Sequence, residues 1–212
     1  IALGKAHGVL KRKIRRIFVH FIASCPNACY NRHDIVYDMY MQNGWCMMKI
    51  LVLSDSHSAL SFMRRCISKI KPDAVIHLGD FYEDGQVMAE EFPHIRFHQV
   101  PGNCDKYRMM RRESEILCYD VCGVRLYMTH GHWHNVKFTL SRLIQDAKDA
   151  GAQAALFGHT HIAYCEQEDN GMWVMNPGSC GCMGGSAGVI KIHNSEIKAC
   201  YFITQDDLEE ML

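Results

Sequence analysis

No apolar run in this chain reaches the length of a membrane span. A spanning helix therefore does not organise it. Neither sign of charge prevails, because 23 Lys and Arg balance 23 Asp and Glu. No global field then draws the chain to a membrane surface or to nucleic acid as its main partner. The 11 cysteines show no repeated spacing and are odd in number, so they do not read as a disulfide framework, and a reducing, cytoplasmic setting is expected. No internal repeat is found. What is present is a hydrophobic content of 48% over 212 residues, enough for one sizeable domain, or one domain with an extension. The 13 histidines are more telling, since many adjoin Gly, Asp or Thr at turn-like positions.

Residues 1–47 differ from the rest. A basic start (Lys5, Lys11, Arg12, Lys13, Arg15, Arg16) precedes the apolar segment Ile17 to Ala23. This has the outline of a signal peptide, and Ile22-Ala23-Ser24-Cys25 resembles a lipoprotein processing box. The apolar segment is short, however, and His20 interrupts it. Cys25, Cys29 and His33 lack a fourth ligand at a zinc-finger spacing. The basic run reads as a solvated tail rather than a nucleic-acid-binding arm. Met48 opens a complete strand at once. The expected division is therefore an N-terminal extension over 1–47, disordered or translated from a mistaken start, and one domain over 48–212.

Ile50 to Leu53 read as a short buried strand. Ser58 to Lys71 carries Leu60, Met63, Ile67 and Ile70 at helical spacing, with Ser58 placed to cap and Pro72 to stop it. Strands are expected over 73–78 and 95–100, with a short helix over 86–92 between them. These alternations point to parallel βαβ units. Glu115 to Val121 and Val124 to Thr129 read as a hairpin turning at Cys122-Gly123. An amphipathic helix is expected over 136–150, closed by Gly151. Further strands are expected over 154–157, 172–175, 187–193 and 197–202, with a turn at Asn176-Pro177-Gly178-Ser179. The glycine-rich stretch 181–188 precedes a strand rather than a helix, so it is not a phosphate cradle. Residues 206–212 form an acidic tail or a short end helix.

The strand ends carry the chemistry. In order they are Asp55-x-His57, Gly79-Asp80, Gly102-Asn103-Cys104-Asp105, His130-Gly131-His132 and Gly158-His159-Thr160-His161. Core packing does not place metal-ligand types at five successive strand ends. Asp-x-His offers one hard oxygen and one imidazole nitrogen to the same ion, which suits Mn, Fe, Zn or Ni better than Ca or Mg. Carboxyl ends of strands are where ligands sit in open α/β sheets.

This ordered set resembles the calcineurin-like metallophosphoesterases and, with Gly-Asn-Cys-Asp at the third position, the small YfcE-type phosphodiesterases. The resemblance covers about Met48 to Tyr201. It implies a four-layer α/β/β/α sandwich of two mixed sheets flanked by helices. It also implies two divalent ions, Mn²⁺ foremost with Ni²⁺, Fe²⁺ or Zn²⁺ as alternatives. Asp55, His57 and His161 would hold one ion, Asn103, His130 and His159 the other, and Asp80 would bridge them. The implied reaction is hydrolysis of a phosphodiester, a small molecule or nucleotide, by a hydroxide shared between the ions. Cys104 departs from the wider superfamily, where a His stands. A thiol is a poor general acid for an alkoxide and carries no positive charge, so diesters are expected in preference to monoesters. His132 is placed to touch substrate phosphate or to support the site. Asp105 is read as orienting a His or the loop from outside the ligand set. Related chains of this fold, such as the retromer subunit, serve as protein-interaction scaffolds instead, and dimers and tetramers occur among relatives. All seven ligand positions here hold competent residues, which favours the enzyme.

Overall fold

The structure is a computed structural model and describes residues 46–105, 114–182 and 184–211. The readings made on Lys5 to Arg16, on Cys25, Cys29 and His33, and on the extension up to residue 45 lie outside these residues.

The first half alternates strand and helix as its periodicity predicts: β1 (Met47–Leu53), α1 (Leu60–Ile70), β2 (Ala74–His77), α2 (Tyr82–Glu91) and β3 (Arg96–Gln99). There follow β4 (Ile116–Val121), β5 (Val124–Thr129), a single 3₁₀ turn (His132–His134), α3 (Ser141–Asp149), β6 (Ala154–Leu156), β7 (Ala163–Gln167), β8 (Trp173–Pro177), β9 (Ser186–His193), β10 (Glu196–Thr204) and α4 (Gln205–Glu210). One five-stranded sheet has the order β10-β9-β1-β2-β3 and the other β4-β5-β6-β8-β7. Both are mixed. β1, β2 and β3 run parallel while β9 is antiparallel to β1 and to β10. In the second sheet β5, β6 and β8 run parallel, flanked by antiparallel β4 and β7.

Strand alternation sorts the core into layers. Leu51, Leu53, Val75, Val189 and Ile203 face outward to Met63, Ile67 and Met88 on α1 and α2, and to Leu208 on α4. On the second sheet Tyr127, Ala155 and Val174 face Leu143 and Ala147 of α3. The residues between them in sequence, among them Ile50, Val52, Ile76, Ile190, Leu126, Met128, Leu156 and Met175, are fully buried and fill the space between the sheets. The close approach is visible at Gly188, where a side chain would run into Met175 of the facing sheet and lie 3.2 Å from Val52. The result is the expected four layers.

Several expectations need correction. Ser58 does not cap α1. The helix starts after Ala59 with no side-chain cap, and the Ser58 N–H instead donates to Asp84 at 2.8 Å. The helix expected over 136–150 is shorter: Val136 is buried, but the chain reaches α3 only at Ser141. α2 begins at Tyr82, four residues earlier than its apolar spacing indicates, with Glu83 and Asp84 in its first turn, where acidic side chains suit the helix dipole. The acidic end of the chain does form a helix, opened by a capping box between Thr204 and Asp207. Cys46 and Cys122 are joined as a disulfide with their Cα atoms 5.7 Å apart. A separation of 76 residues leaves no trace in local spacing. The pairing places Cys46 and Met47, assigned from sequence to the extension, against the folded domain: the Met47 backbone is in register with His193.

Among the described residues no helix is long and apolar enough to cross a membrane.

Candidate metal centre

Every motif predicted to bind metal lies just past a strand end, and the local backbone there is unusual. Asp55, His57, Asp80, His159 and His161 all adopt positive φ, from 43° to 69°. L-residues rarely do so: each such residue costs roughly 1 kcal/mol or more and persists only where the surroundings enforce it. Here they are enforced. The Asp55 N–H donates to Gly79 O at 2.9 Å, and the Gly158 N–H donates to His130 O at 3.0 Å. The first bond ties the loop after β1 to the loop after β2, and the second ties the loop after β6 to the loop after β5.

Asp55 is fully buried. Its Oδ2 accepts from Ser54 Oγ at 2.5 Å and from the His159 N–H at 3.0 Å. Its Oδ1 makes no hydrogen bond and lies 3.1 Å from His161 Nε2. Burial pushes the Asp55 carboxyl up to about 7, with the Ser54 hydrogen bond opposing and the Asp80 charge adding to the rise. His57 Nε2 is likewise buried and makes no hydrogen bond. Ligand atoms of Asp55, His57, Asp80 and His161 all lie within 4.8 Å of one another. Orphaned buried acceptors converging on one point fit a cation, since an isolated buried carboxylate is otherwise strongly unfavourable. This is the set assigned from sequence to the first ion, together with the bridging Asp80.

The second set adjoins it through Asp80. His130 is fully buried, and its Nδ1–H donates to Leu78 O at 2.7 Å. Burial holds its ring down to about 4, so it is neutral at pH 7. With the single proton on Nδ1, Nε2 presents a lone pair, the usual arrangement for a metal-ligating His. That lone pair faces Asn103 Oδ1 at 3.1 Å and Asp80 Oδ1 at 3.5 Å. Three acceptor atoms around one point again suit a cation. The His159 ring centroid is 5.1 Å from that of His130, and the His132 ring is 5.4 Å from it.

Cys104 lies beside Asp80. Its N–H donates to Asp80 Oδ1 at 2.8 Å, and its Sγ receives the Asn103 side-chain amide at 3.4 Å. Burial and the Asp80 carboxylate push the thiol up to about 11, so it stays neutral near pH 7. Asp105 orients the loop: it accepts from the N–H groups of Phe81 and Tyr82 at 2.8 and 3.0 Å and of Gly102 at 2.7 Å.

The supports beneath the ligands were not legible in sequence. Asp84, buried on α2, accepts from Ser56 Oγ at 2.7 Å as well as from the Ser58 N–H. It thereby straps the Asp55–His57 loop to the helix that follows Asp80. His77 completes this chain, with Nε2 3.1 Å from Ser56 Oγ, and its burial keeps it neutral. From the other side Ser179 Oγ donates to Asp55 O at 2.8 Å, and the Asn176 amide donates to Gly158 O at 2.8 Å. The Asn-Pro-Gly-Ser segment reads from sequence as a turn and no more. Nothing short of the fold shows which loop it steadies.

A family model, the calcineurin-like phosphoesterase superfamily domain, matches residues 48–195. The chain belongs to that superfamily. It is 32% identical over 134 residues to the probable metallophosphoesterase YsnB of Bacillus subtilis, covering 62% of this chain and 75% of that protein. To a phosphodiesterase of Methanocaldococcus jannaschii it is 27% identical over 149 residues, covering 63% and 84%. Among solved structures, a conserved Streptococcus pneumoniae protein described as a predicted phosphoesterase superposes with a TM-score of 0.60 at 26% identity, covering 76% of this chain and 91% of that one. The family is one of phosphoesterases, and Asp55, His57, Asp80 and His161 are placed so that they could hold a divalent ion.

Proposed function

We propose that this protein is a metal-dependent phosphodiesterase with two ions held by Asp55, His57, Asp80 and His161 on one side and by Asp80, Asn103, His130 and His159 on the other. The observation that carries the reading is the position of Asp80. Its carboxylate belongs to the four-residue cluster and also lies 3.5 Å from His130, so one side chain faces both ligand sets. Mn²⁺ is the first candidate from the family resemblance, with Ni²⁺, Fe²⁺ or Zn²⁺ as alternatives, since a mixed set of imidazole, carboxylate and amide ligands accommodates each of them. Bound divalent ions supply Lewis acidity: they bring water near ionisation at neutral pH and offset charge on phosphoryl oxygens.

The chain's own residues then set the substrate. Asn103 is a neutral ligand and leaves the site more positive toward an anion. His132 stands beside His130 and is assigned to substrate phosphate. Cys104 is a neutral thiol near pH 7, so it brings no positive charge for a second phosphate charge, and its raised pKa makes it a weak proton donor to an alkoxide. A diester, with one negative charge, fits that environment better than a dianionic monoester. The phosphodiesterase similar to this chain supports the same reading.

The test compares bis-p-nitrophenyl phosphate with p-nitrophenyl phosphate, using the full chain supplied with Mn²⁺. A diester preference in kcat/KM of roughly tenfold or more is expected, and Cys104→His should raise monoester turnover. Equal or better use of the monoester by the unaltered protein would overturn the proposed specificity.

A further inference from the structure

The two sheets meet along their edges as well as their faces. β7 is the last strand of one sheet and β10 the last of the other. Along β7, Tyr164 packs outward with the cluster under α3, so its neighbour Cys165 points to the space between the sheets. Along β10, Tyr201 and Ile203 pack outward toward α1 and α4, so Cys200 points inward as well. The two sulfurs lie 3.6 Å apart. Cys200 is 7% exposed, whereas Cys165 is half-buried and open to reagent.

We propose that Cys165 and Cys200 are a site of oxidative modification, forming a disulfide that clasps the edge of one sheet to the edge of the other. The sulfurs need to approach by about 1.5 Å to reach bonding distance near 2.05 Å. The oxidant is a low-molecular-weight disulfide such as oxidised glutathione. Cys165 attacks it as the thiolate, giving a mixed disulfide and releasing one small thiol. Cys200 then loses its proton, attacks the Cys165 sulfur and releases the second small thiol. Two electrons and two protons leave the cysteine pair, and the oxidant is reduced to two thiols. Cys165 is the more exposed of the two thiols, so it meets the oxidant first and the buried Cys200 beside it resolves the mixed disulfide. The bond would close a segment spanning 35 positions, including β8, β9 and the Ser179 turn that supports Asp55.

The full chain is treated with oxidised glutathione, capped and digested with trypsin without reduction. Trypsin cuts after Lys148, Lys191 and Lys198, so residues 199–212 carry Cys200 as their single cysteine. A linked species joining 149–191 to 199–212 is expected, absent after reduction and absent from Cys165→Ser. That variant also distinguishes Cys165 from Cys180 and Cys182 in the same peptide. The oxidised wild type should unfold at a midpoint roughly 5–10 °C above oxidised Cys165→Ser, as loop closure of this length implies. Both proteins keep the Cys46–Cys122 bond, so it does not contribute to the difference. No linked species in the oxidised wild type, or one that persists in Cys165→Ser, overturns the assignment. A linked species with equal midpoints overturns the clasp.

Discussion

Replacing Asp80 by Asn is expected to lower diester turnover by roughly a thousandfold with the fold intact, the scale seen when one preorganised electrostatic partner of a reacting centre is removed. Asp80 is 3% exposed, and Asn has nearly its shape. The amide oxygen can still accept the Cys104 N–H that Asp80 Oδ1 accepts at 2.8 Å, so the loop keeps its anchor. What disappears is the negative charge shared by both proposed ion positions. The variant should therefore bind divalent metal more weakly while its circular dichroism and unfolding midpoint stay close to wild type. Substantial turnover from a well-folded Asp80→Asn protein would remove Asp80 from the bridging role.

A second large effect is expected at Gly79. Its φ is +95°, and a Cβ there would lie 2.7 Å from the Pro101 carbonyl carbon and 2.8 Å from Gly102 Cα. These are backbone atoms and cannot swing aside as a flexible side chain would. Gly79→Ala combines an unfavourable φ with overlap between the loops after β2 and β3, together about 3 kcal/mol or more of lost stability. Chemical denaturation should show this as a lower midpoint. Activity should fall further than the folded fraction accounts for, because moving Gly79 displaces Asp80 and Asp55, whose N–H it receives. A midpoint within about 0.5 kcal/mol of wild type, the range of an ordinary surface substitution, would show that the two loops yield easily.

The contrast between ligands and supports shows what a sequence can disclose. Asp55, His57, Asp80 and the Gly-His-x-His residues stand out because each follows a short apolar run and is bracketed by small residues. The apolar runs place each of them at the end of a strand, while their meeting across two facing sheets comes from the resemblance and the fold. Asp84 has the same chemistry but lies in an acidic helix, Tyr82 to Glu91, where a carboxylate looks solvated, and only the fold reveals its burial. β7 was missed for a related reason. Ala163 to Gln167 is a half-exposed edge strand without the apolar alternation that marks a strand buried on one face. The helix expected from Val136 failed in the opposite direction. Val136 and Leu140 pack against the α3 cluster from irregular chain, so apolar spacing read as helix where tertiary packing needed no helix. The cysteine contacts, Cys46 with Cys122 and Cys165 with Cys200, join residues 76 and 35 positions apart, and such pairs are visible only once the sheets are stacked.

Metal stoichiometry tests the two-ion reading most directly. The full chain would be stripped with chelator, reloaded with Mn²⁺, freed of loose metal by gel filtration and analysed for bound manganese. The proposed arrangement predicts about two ions per chain for the wild type, with loss of tight binding in Asp80→Asn. A single ion per chain at saturation, or two ions undiminished by Asp80→Asn, would contradict a site in which one carboxylate holds both.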